Sequence, residues 1–476
     1  MVWASVWAMA ALSGGDVQLA TLFGDGMVLE RETRAPMWGR AAPGSEVRVR
    51  AEWSAAEVVA RADARGAWRV ELATPSAGGP YTIRVAGTDE LTLRDVWIGE
   101  VWLCSGQSNM EWKLRPGELG GVLDSEREIA EARHPRIRVF EVANRAALHP
   151  ASDVRGQWVT CSPQTAGEFT AVGYFFAREL ERELDVPIGI VDATWSGTRI
   201  EAWLEGSTAS ALDATRAEWQ RFANAREALD AGPQQAHELD PQTISALFNG
   251  MVAPLVPYAL RGFLWYQGES NRSNASQYVE LQSGLVRSWR ELWGSDAKPF
   301  YFVQIAPFAY EDDGGETGAL RDAQRRCLAL ENTGMVATMD IGDPLDIHPR
   351  NKREVGRRLS LWALARTYGR TGIVHSGPLF KAVRFEGQRA HVTFDELGGG
   401  LISGGDHLTG FELAGEDRRF VRATATIEGD EVVVVAKGVL APVAVRYGCR
   451  ADAQPILFNK AWLPAAAFRS DSWPIR

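Results

Sequence analysis

Cysteine and histidine are scarce in this chain, and where they stand excludes several chemistries. Of 476 residues only Cys104, Cys161, Cys327 and Cys449 are cysteine, and none forms a CxxC pair. That spacing excludes a zinc ribbon and a dense disulfide framework. The seven histidines include no HxH and no HExxH, so no metal site is expected. Positive charge is in the minority: 51 Lys and Arg against 61 Asp and Glu leave a net charge of −10. Such a surface repels nucleic acid phosphates and anionic lipid. No integral membrane segment is expected either. The apolar run at residues 1–13, MVWASVWAMAALS, is too short to span a bilayer. With the small-residue sequence Ala8-Met9-Ala10 near its end, it reads as a secretory signal within residues 1–15, although Lys and Arg are missing from its start. A secreted or periplasmic protein is therefore expected. Internal repeats and low-complexity tracts are also missing.

What is present is an ordinary globular composition, 45% hydrophobic and 24% charged. At roughly 100 to 200 residues per domain the length suggests about three domains. The 18 tryptophans serve mainly as core, and their flat faces also suit sugar rings. Residues 16–95 show short alternating segments broken by Gly and Pro, at 46–50, 68–72 and 81–85, which predicts an N-terminal β-sandwich. From 96 to 376 apolar strand-like runs at 96–103, 137–140, 188–192, 262–266, 300–305 and 335–339 alternate with helical patterns at 171–184, 278–293, 320–331 and 350–366. That rhythm predicts an α/β unit, a doubly wound parallel sheet covered on both faces. Residues 207–240, rich in Ala, Glu, Arg and Gln, read as a helical insertion. Alternation returns over 377–476, with runs at 392–394, 423–427, 432–435 and 443–447, predicting a C-terminal β-domain.

Ligands of open parallel sheets bind at the carboxyl ends of the strands, so the residues that follow each strand candidate carry the functional information. After the first comes Cys104-Ser105-Gly106-Gln107-Ser108-Asn109. Gly106 permits a tight turn that lifts Ser108 into the crevice at a helix start, where it suits a nucleophile and equally suits a helix N-cap. After the third comes Thr194-Trp195-Ser196-Gly197, where Gly197 brings a backbone N–H close to a substrate or simply turns a loop. After the fourth comes Gln267, whose side-chain N–H suits an oxyanion donor or a hydrogen-bonded strand end. After the last come Asp340, Asp343, Asp346 and His348, a base with carboxylates to orient it. Asp346, two residues before His348, is the expected orienting acid. Asp343, held extended by Pro344, is the alternative and is otherwise expected to stabilise a turn. Serine, N–H donors and an Asp/His pair on one sheet edge describe acyl transfer through a covalent serine intermediate.

The blocks GEVWLCSGQSNMEW (99–112), TWSGTRIEAW (194–203), FLWYQGESN (263–271), PFYFVQIAPF (299–308) and DIGDPLDIHPRNKREVGRRL (340–359) resemble the sialate O-acetylesterases of the SGNH hydrolase superfamily, relatives of the acetylxylan esterases. The likeness extends to LFGDGMVLER (22–31) and FNKAWLPAAAFRSDSW (458–473). It implies a flavodoxin-like SGNH sheet flanked by β-sandwich-like domains, Ser108 as nucleophile, His348 as general base, and an oxyanion hole from the Ser108 and Gly197 N–H groups with Gln267. It implies an O-acetylated carbohydrate as substrate, O-acetylated sialic acid first and acetylated xylan second, and no cofactor. The sequence departs from the superfamily in carrying Gln267 where a GxND asparagine stands and D-x-H where DxxH is usual. A carbohydrate-binding protein with a relict site and a lipase-like esterase are the rival readings. The first would have lost Ser108, His348 or a donor; the second would show an apolar acyl groove.

Overall fold

The computed structural model describes residues 16–117, 121–231 and 239–474; the expected signal segment lies outside them. The chain has a mixed α/β fold in which one large mixed sheet is flanked by smaller β-sheets. Its central strands are β1 (Glu90–Gly106), β2 (His134–Glu141), β3 (Trp158–Cys161), β4 (Ile188–Thr194), β5 (Gly262–Tyr266), β6 (Phe300–Val303) and β7 (Thr333–Val336). They lie in the order β3-β2-β4-β1-β5-β6-β7. All neighbours are parallel except β3, which pairs antiparallel with β2 at the edge.

Both faces of this sheet are apolar because side chains alternate along each strand. Val101, Leu103, Phe263, Trp265, Phe300 and Phe302 pack on one face with Tyr278, Leu281, Leu285 and Trp289 of helix α4 (Tyr278–Leu292) and Leu320 of α5 (Glu316–Arg326). Trp102, Cys104, Leu264, Tyr266, Tyr301 and Val303 pack on the other with Val172, Phe176 and Leu180 of α2 (Ala171–Leu184) and Val355, Leu359 and Trp362 of α6 (Lys352–Trp362). Within the span where a helical insertion is expected stands α3 (Arg216–Ala231). Two short helices complete the picture near the site: α1 (Ser108–Glu111) directly follows β1, and a turn of 3-10 helix spans Ile200–Trp203.

β1 is longer than its apolar run. Its first half is partly exposed and pairs antiparallel with Gly78–Ala86 of the N-terminal β region; its second half is buried and joins the parallel sheet. One strand thus runs through residue 95, and the change from alternating to continuous burial marks where its surroundings change. On the far side, the C-terminal region carries two four-stranded antiparallel sheets sharing a core that includes Val392, Phe394, Leu413, Val434, Val445, Tyr447 and Phe468. Arg321 of α5 fastens this region to the sheet. It is fully buried and donates to the carbonyls of Ile305, Ala306, Gly448, Arg450 and Ala451 at 2.8 to 3.1 Å.

Candidate active site

Register brings the informative loops to one level. Gly106 at the end of β1 lies opposite both Thr194 of β4 and Tyr266 of β5, so the segments that begin at Gln107, Trp195 and Gln267 leave the sheet side by side. Backbone bonds stitch them: Gln107 N–H donates to Tyr266 O at 3.0 Å and Trp195 N–H to Gly106 O at 3.1 Å. Gly106 has φ +134°, and a Cβ there would stand 2.2 Å from Tyr266 O, so a side chain at this position would force the strands apart.

Ser108 is the first residue of α1, half-buried, with Gln107 as the capping position and no side-chain cap bond. The helix-cap alternative therefore does not hold. Among the described residues its hydroxyl makes no hydrogen bond, and it lines a cavity of about 440 Å³ together with Glu111, Trp112, Lys113, Arg115 and Ser196. Gly197 lies on the exposed turn after β4 with φ +71° and open space around it. Its carbonyl accepts from Gln242 Nε2 at 2.6 Å, while its N–H has no partner among the described residues. Ser196 on the same turn donates to Glu111 of α1, holding the turn beside Ser108.

His348 stacks on Trp112, with ring centroids 4.3 Å apart and planes at 27°. Trp112 is the residue that ends α1, so the histidine is held against the segment that bears Ser108. Asn109 adds a second tie: its Nδ2 donates to Ile347 O at 3.2 Å and to Glu269 Oε1 at 2.6 Å. The three aspartates before His348 have separate partners. Asp340 forms a bidentate pair with Arg358 at 2.7 and 2.6 Å. Asp343 accepts from Leu345 N–H at 2.9 Å and Asp343 O accepts from Asp346 N–H at 3.1 Å, which makes it a turn former. Asp346 Oδ1 accepts from the His348 backbone N–H at 2.8 Å and lies 3.8 Å from its Nδ1. Burial, and then the nearby Lys352 cation, hold the His348 pKa below the ordinary histidine value, with Asp346 opposing.

Gln267 does not sit as expected. It is fully buried, and both its N–H groups are committed, to Thr198 O at 3.1 Å and Asn271 Oδ1 at 2.7 Å, while its Oε1 accepts from Tyr278 at 2.7 Å. Asn271 Oδ1 also accepts from Ile200 N–H at 2.9 Å and its Nδ2 donates to Glu201 at 2.9 Å. Gln267 thus braces the segment carrying Gly197 from within and directs no N–H into the cavity.

Reading the sequence does not single out Trp112, Glu269 or Lys352. Lys352, the first residue of α6, is fully buried and donates from Nζ to Asn109 Oδ1 at 2.5 Å. Burial lowers its pKa to about 7, with Glu269 and Asp346 opposing, and burial raises that of Glu269. The one signal was position: Glu269 follows a strand end by three residues and Lys352 follows His348 by four. All four cysteines are buried free thiols, and among the described residues no group of three or more His, Cys, Asp or Glu is placed to hold a metal. No helix among them is long and apolar enough to cross a membrane.

Residues 98–364 match the family model described as carbohydrate esterase, sialic acid-specific acetylesterase. The chain is 28% identical to the sialate O-acetylesterase of Rattus norvegicus over 443 residues, covering 81% of this chain and 80% of the relative. It is 29% identical to that of Homo sapiens over 417 residues, covering 79% and 75%. Among solved structures, a carbohydrate acetylesterase from Xanthomonas citri is 40% identical with a TM-score of 0.87, covering 96% of this chain and 100% of the other.

Proposed function

Because the chain belongs to the carbohydrate esterase family of sialic acid-specific acetylesterases, we propose that its serine esterase chemistry is carried by Ser108, His348 and Asp346. The protein is a carbohydrate O-acetylesterase. Ser108 Oγ attacks the acetyl carbonyl carbon while His348 Nε2 takes its proton. The resulting oxyanion is held by the N–H groups of Ser108 and Gly197. The bond to the sugar oxygen then breaks as the imidazolium returns the proton to that oxygen, leaving an acetyl-serine. Water, deprotonated by the same histidine, attacks the acetyl carbon; acetate leaves and Ser108 recovers its proton.

The observation that carries this reading is the cavity lined both by Ser108, whose hydroxyl is unbonded among the described residues, and by Trp112, against which His348 stacks. The pairing of Asp340 with Arg358, the place of Asp343 in its turn and the 3.8 Å between Asp346 Oδ1 and His348 Nδ1 support Asp346 as the orienting acid. Gln267 acts through the Gly197 segment that it braces, rather than as a third donor. O-acetylated sialic acid is the first substrate. Arg115 lines the cavity with more than half its side chain exposed and pairs through Nε with Glu168 at 2.7 Å; it supports an acidic sugar by exchanging that exposed partner for the sugar carboxylate. The central unit, residues 96–376 with its insertion at 207–240, is read as a doubly wound, flavodoxin-like SGNH hydrolase. Residues 16–95 and 377–476 form its β-sandwich-like flanks. Two-sided burial of the parallel strands supports that division. Export is proposed on the apolar segment 1–13.

The test is acetate release from O-acetylated sialic acid, acetylated xylan and a chromogenic acetate ester, by the wild type and by Ser108→Ala. Release fastest from the sialic acid, and lost in the variant, is expected. Faster release from acetylated xylan moves the substrate, and release that survives in Ser108→Ala overturns the mechanism.

A further inference from the structure

A fully buried lysine with one hydrogen-bond acceptor is expensive, because its charge is removed from water with little in return. Lys352 is in that position. Its Nζ donates to Asn109 Oδ1 at 2.5 Å and lies 5.9 Å from the centre of the Trp112 ring and 5.5 Å from that of Tyr266. No carboxylate stands within ion-pair distance of it among the described residues. The groups that face it come from every neighbouring element. Asn109 and Trp112 belong to the nucleophile segment, Tyr266 to the end of β5, Glu269 to the loop after it, and Asp346 and His348 to its own loop. Two of these contacts lead straight back to the catalytic groups. Asn109 adjoins Ser108 and holds Ile347 O, while Trp112 carries the stacked imidazole on its face.

We propose that Lys352 is a positioning residue for His348: it ties the nucleophile segment to the histidine loop through Asn109 and Trp112, and while it is protonated it sets a positive charge beside the imidazole. This rests on His348 being the general base. A cation beside an imidazole disfavours its protonation, so His348 stays neutral, and able to accept a proton, at a lower pH than a free histidine. The signs are consistent. Burial first, and the Lys352 cation second, hold the His348 pKa below its ordinary value of 6.5, and Lys352, with a pKa of about 7, is charged in that range. Asp346 and Glu269 act in the opposite sense, Asp346 on the imidazole and both on the ammonium.

The experiment is kcat/KM for acetate release as a function of pH, in the wild type, Lys352→Met and Lys352→Arg, with NMR titration of the His348 ring in the full-length wild type. In the wild type the acidic limb is expected below 6.5. In Lys352→Met it moves up by on the order of one pH unit, a typical protein-induced shift, so well below the limb the variant loses roughly tenfold more activity than it does at pH 8. Lys352→Arg restores the limb to its wild-type place. A limb that stays put in Lys352→Met overturns the proposal. The NMR titration needs no variant and covers the case in which Lys352→Met fails to fold. Two inflections in the His348 signal, the second near pH 7 as Lys352 discharges, support the coupling, and a single inflection overturns it. Undiminished acetate release by His348→Ala would overturn the catalytic reading itself, whereas a dead His348→Ala with an unmoved limb overturns only the role of Lys352.

Discussion

Arg321 and Lys352 are both fully buried cations, and the difference in their company separates the joint of this molecule from its site. Arg321, between the parallel sheet and the C-terminal β region, spreads its guanidinium over five carbonyl oxygens. Burial lowers its pKa only to about 10, so it stays charged at neutral pH. Lys352, at the carboxyl edge of the same sheet, has one amide oxygen and two aromatic faces, and its pKa falls to about 7. Hydrogen bonds that saturate a buried charge fix structure. A charge left with few partners keeps a proton that can move in the working pH range, and such groups gather at sites of chemistry. Substitutions in the joint should therefore cost stability with turnover intact, and substitutions in the site should do the reverse.

The sharpest contrast is expected at Ser108. Its hydroxyl holds nothing in the fold, so Ser108→Ala should lower acetate release by roughly 10⁴ to 10⁶ while the thermal unfolding midpoint stays where it is. Asp346→Asn should cut kcat by roughly 10² to 10⁴, by analogy with loss of the orienting carboxylate in serine proteases. Asp343→Asn and Asp340→Asn, whose carboxylates serve a turn and Arg358, should mainly lower the unfolding midpoint. If Asp343→Asn is the more damaging to kcat, the assignment of the acid is reversed. At the joint, Arg321→Met leaves several buried carbonyls without a donor and should cost about 3 to 5 kcal/mol in a denaturant titration, with kcat of the folded enzyme unchanged. A fall in kcat without a fall in stability would break the comparison. Gln267→Ala should sit between the two classes. It loosens the Gly197 segment and should lower turnover by up to about 10², the cost of misplacing a catalytic group by a small distance, and stability should fall with it. Chelation should change least: acetate release is expected to be unaltered by EDTA, and a loss restored by zinc or calcium would contradict that.

Much of this arrangement is legible in the sequence where burial follows a simple period. β5 and α2 occupy the expected spans 262–266 and 171–184, because an unbroken apolar run and a 3.6-residue stripe each have one good solution. β3, the four-residue Trp158–Cys161 at the sheet edge, has no such signature in the sequence, since two of its residues are half-exposed and it offers no alternation. α5 begins at Glu316 and not at 320, because its first turn is buried by contact with the C-terminal region, at Gly318 against Cys449, which no local pattern reports. The site follows the same division. Ser108, Gly197 and His348 are proposed from position, because strand ends mark the ligand edge of a parallel sheet. Gln267 stands at such an end too, but its partners come from Thr198, four residues ahead at Asn271 and eleven ahead at Tyr278. Position alone therefore could not show that its amide was already spent. Lys352 is hidden for a similar reason: Asn109, Trp112 and Tyr266, which stand around its ammonium, come from distant parts of the chain.

The central claim is that an acetyl group passes through Ser108. Rapid quenching of the enzyme during turnover of an O-acetylated sugar, followed by peptide mapping by mass spectrometry, tests this most directly. The account predicts an acetyl group on the peptide bearing Ser108, at Ser108 itself, that disappears as substrate is exhausted and never forms in Ser108→Ala. Acetyl found on another residue, or turnover at the full rate with no acetyl-enzyme under conditions where its breakdown is slowed, would contradict it.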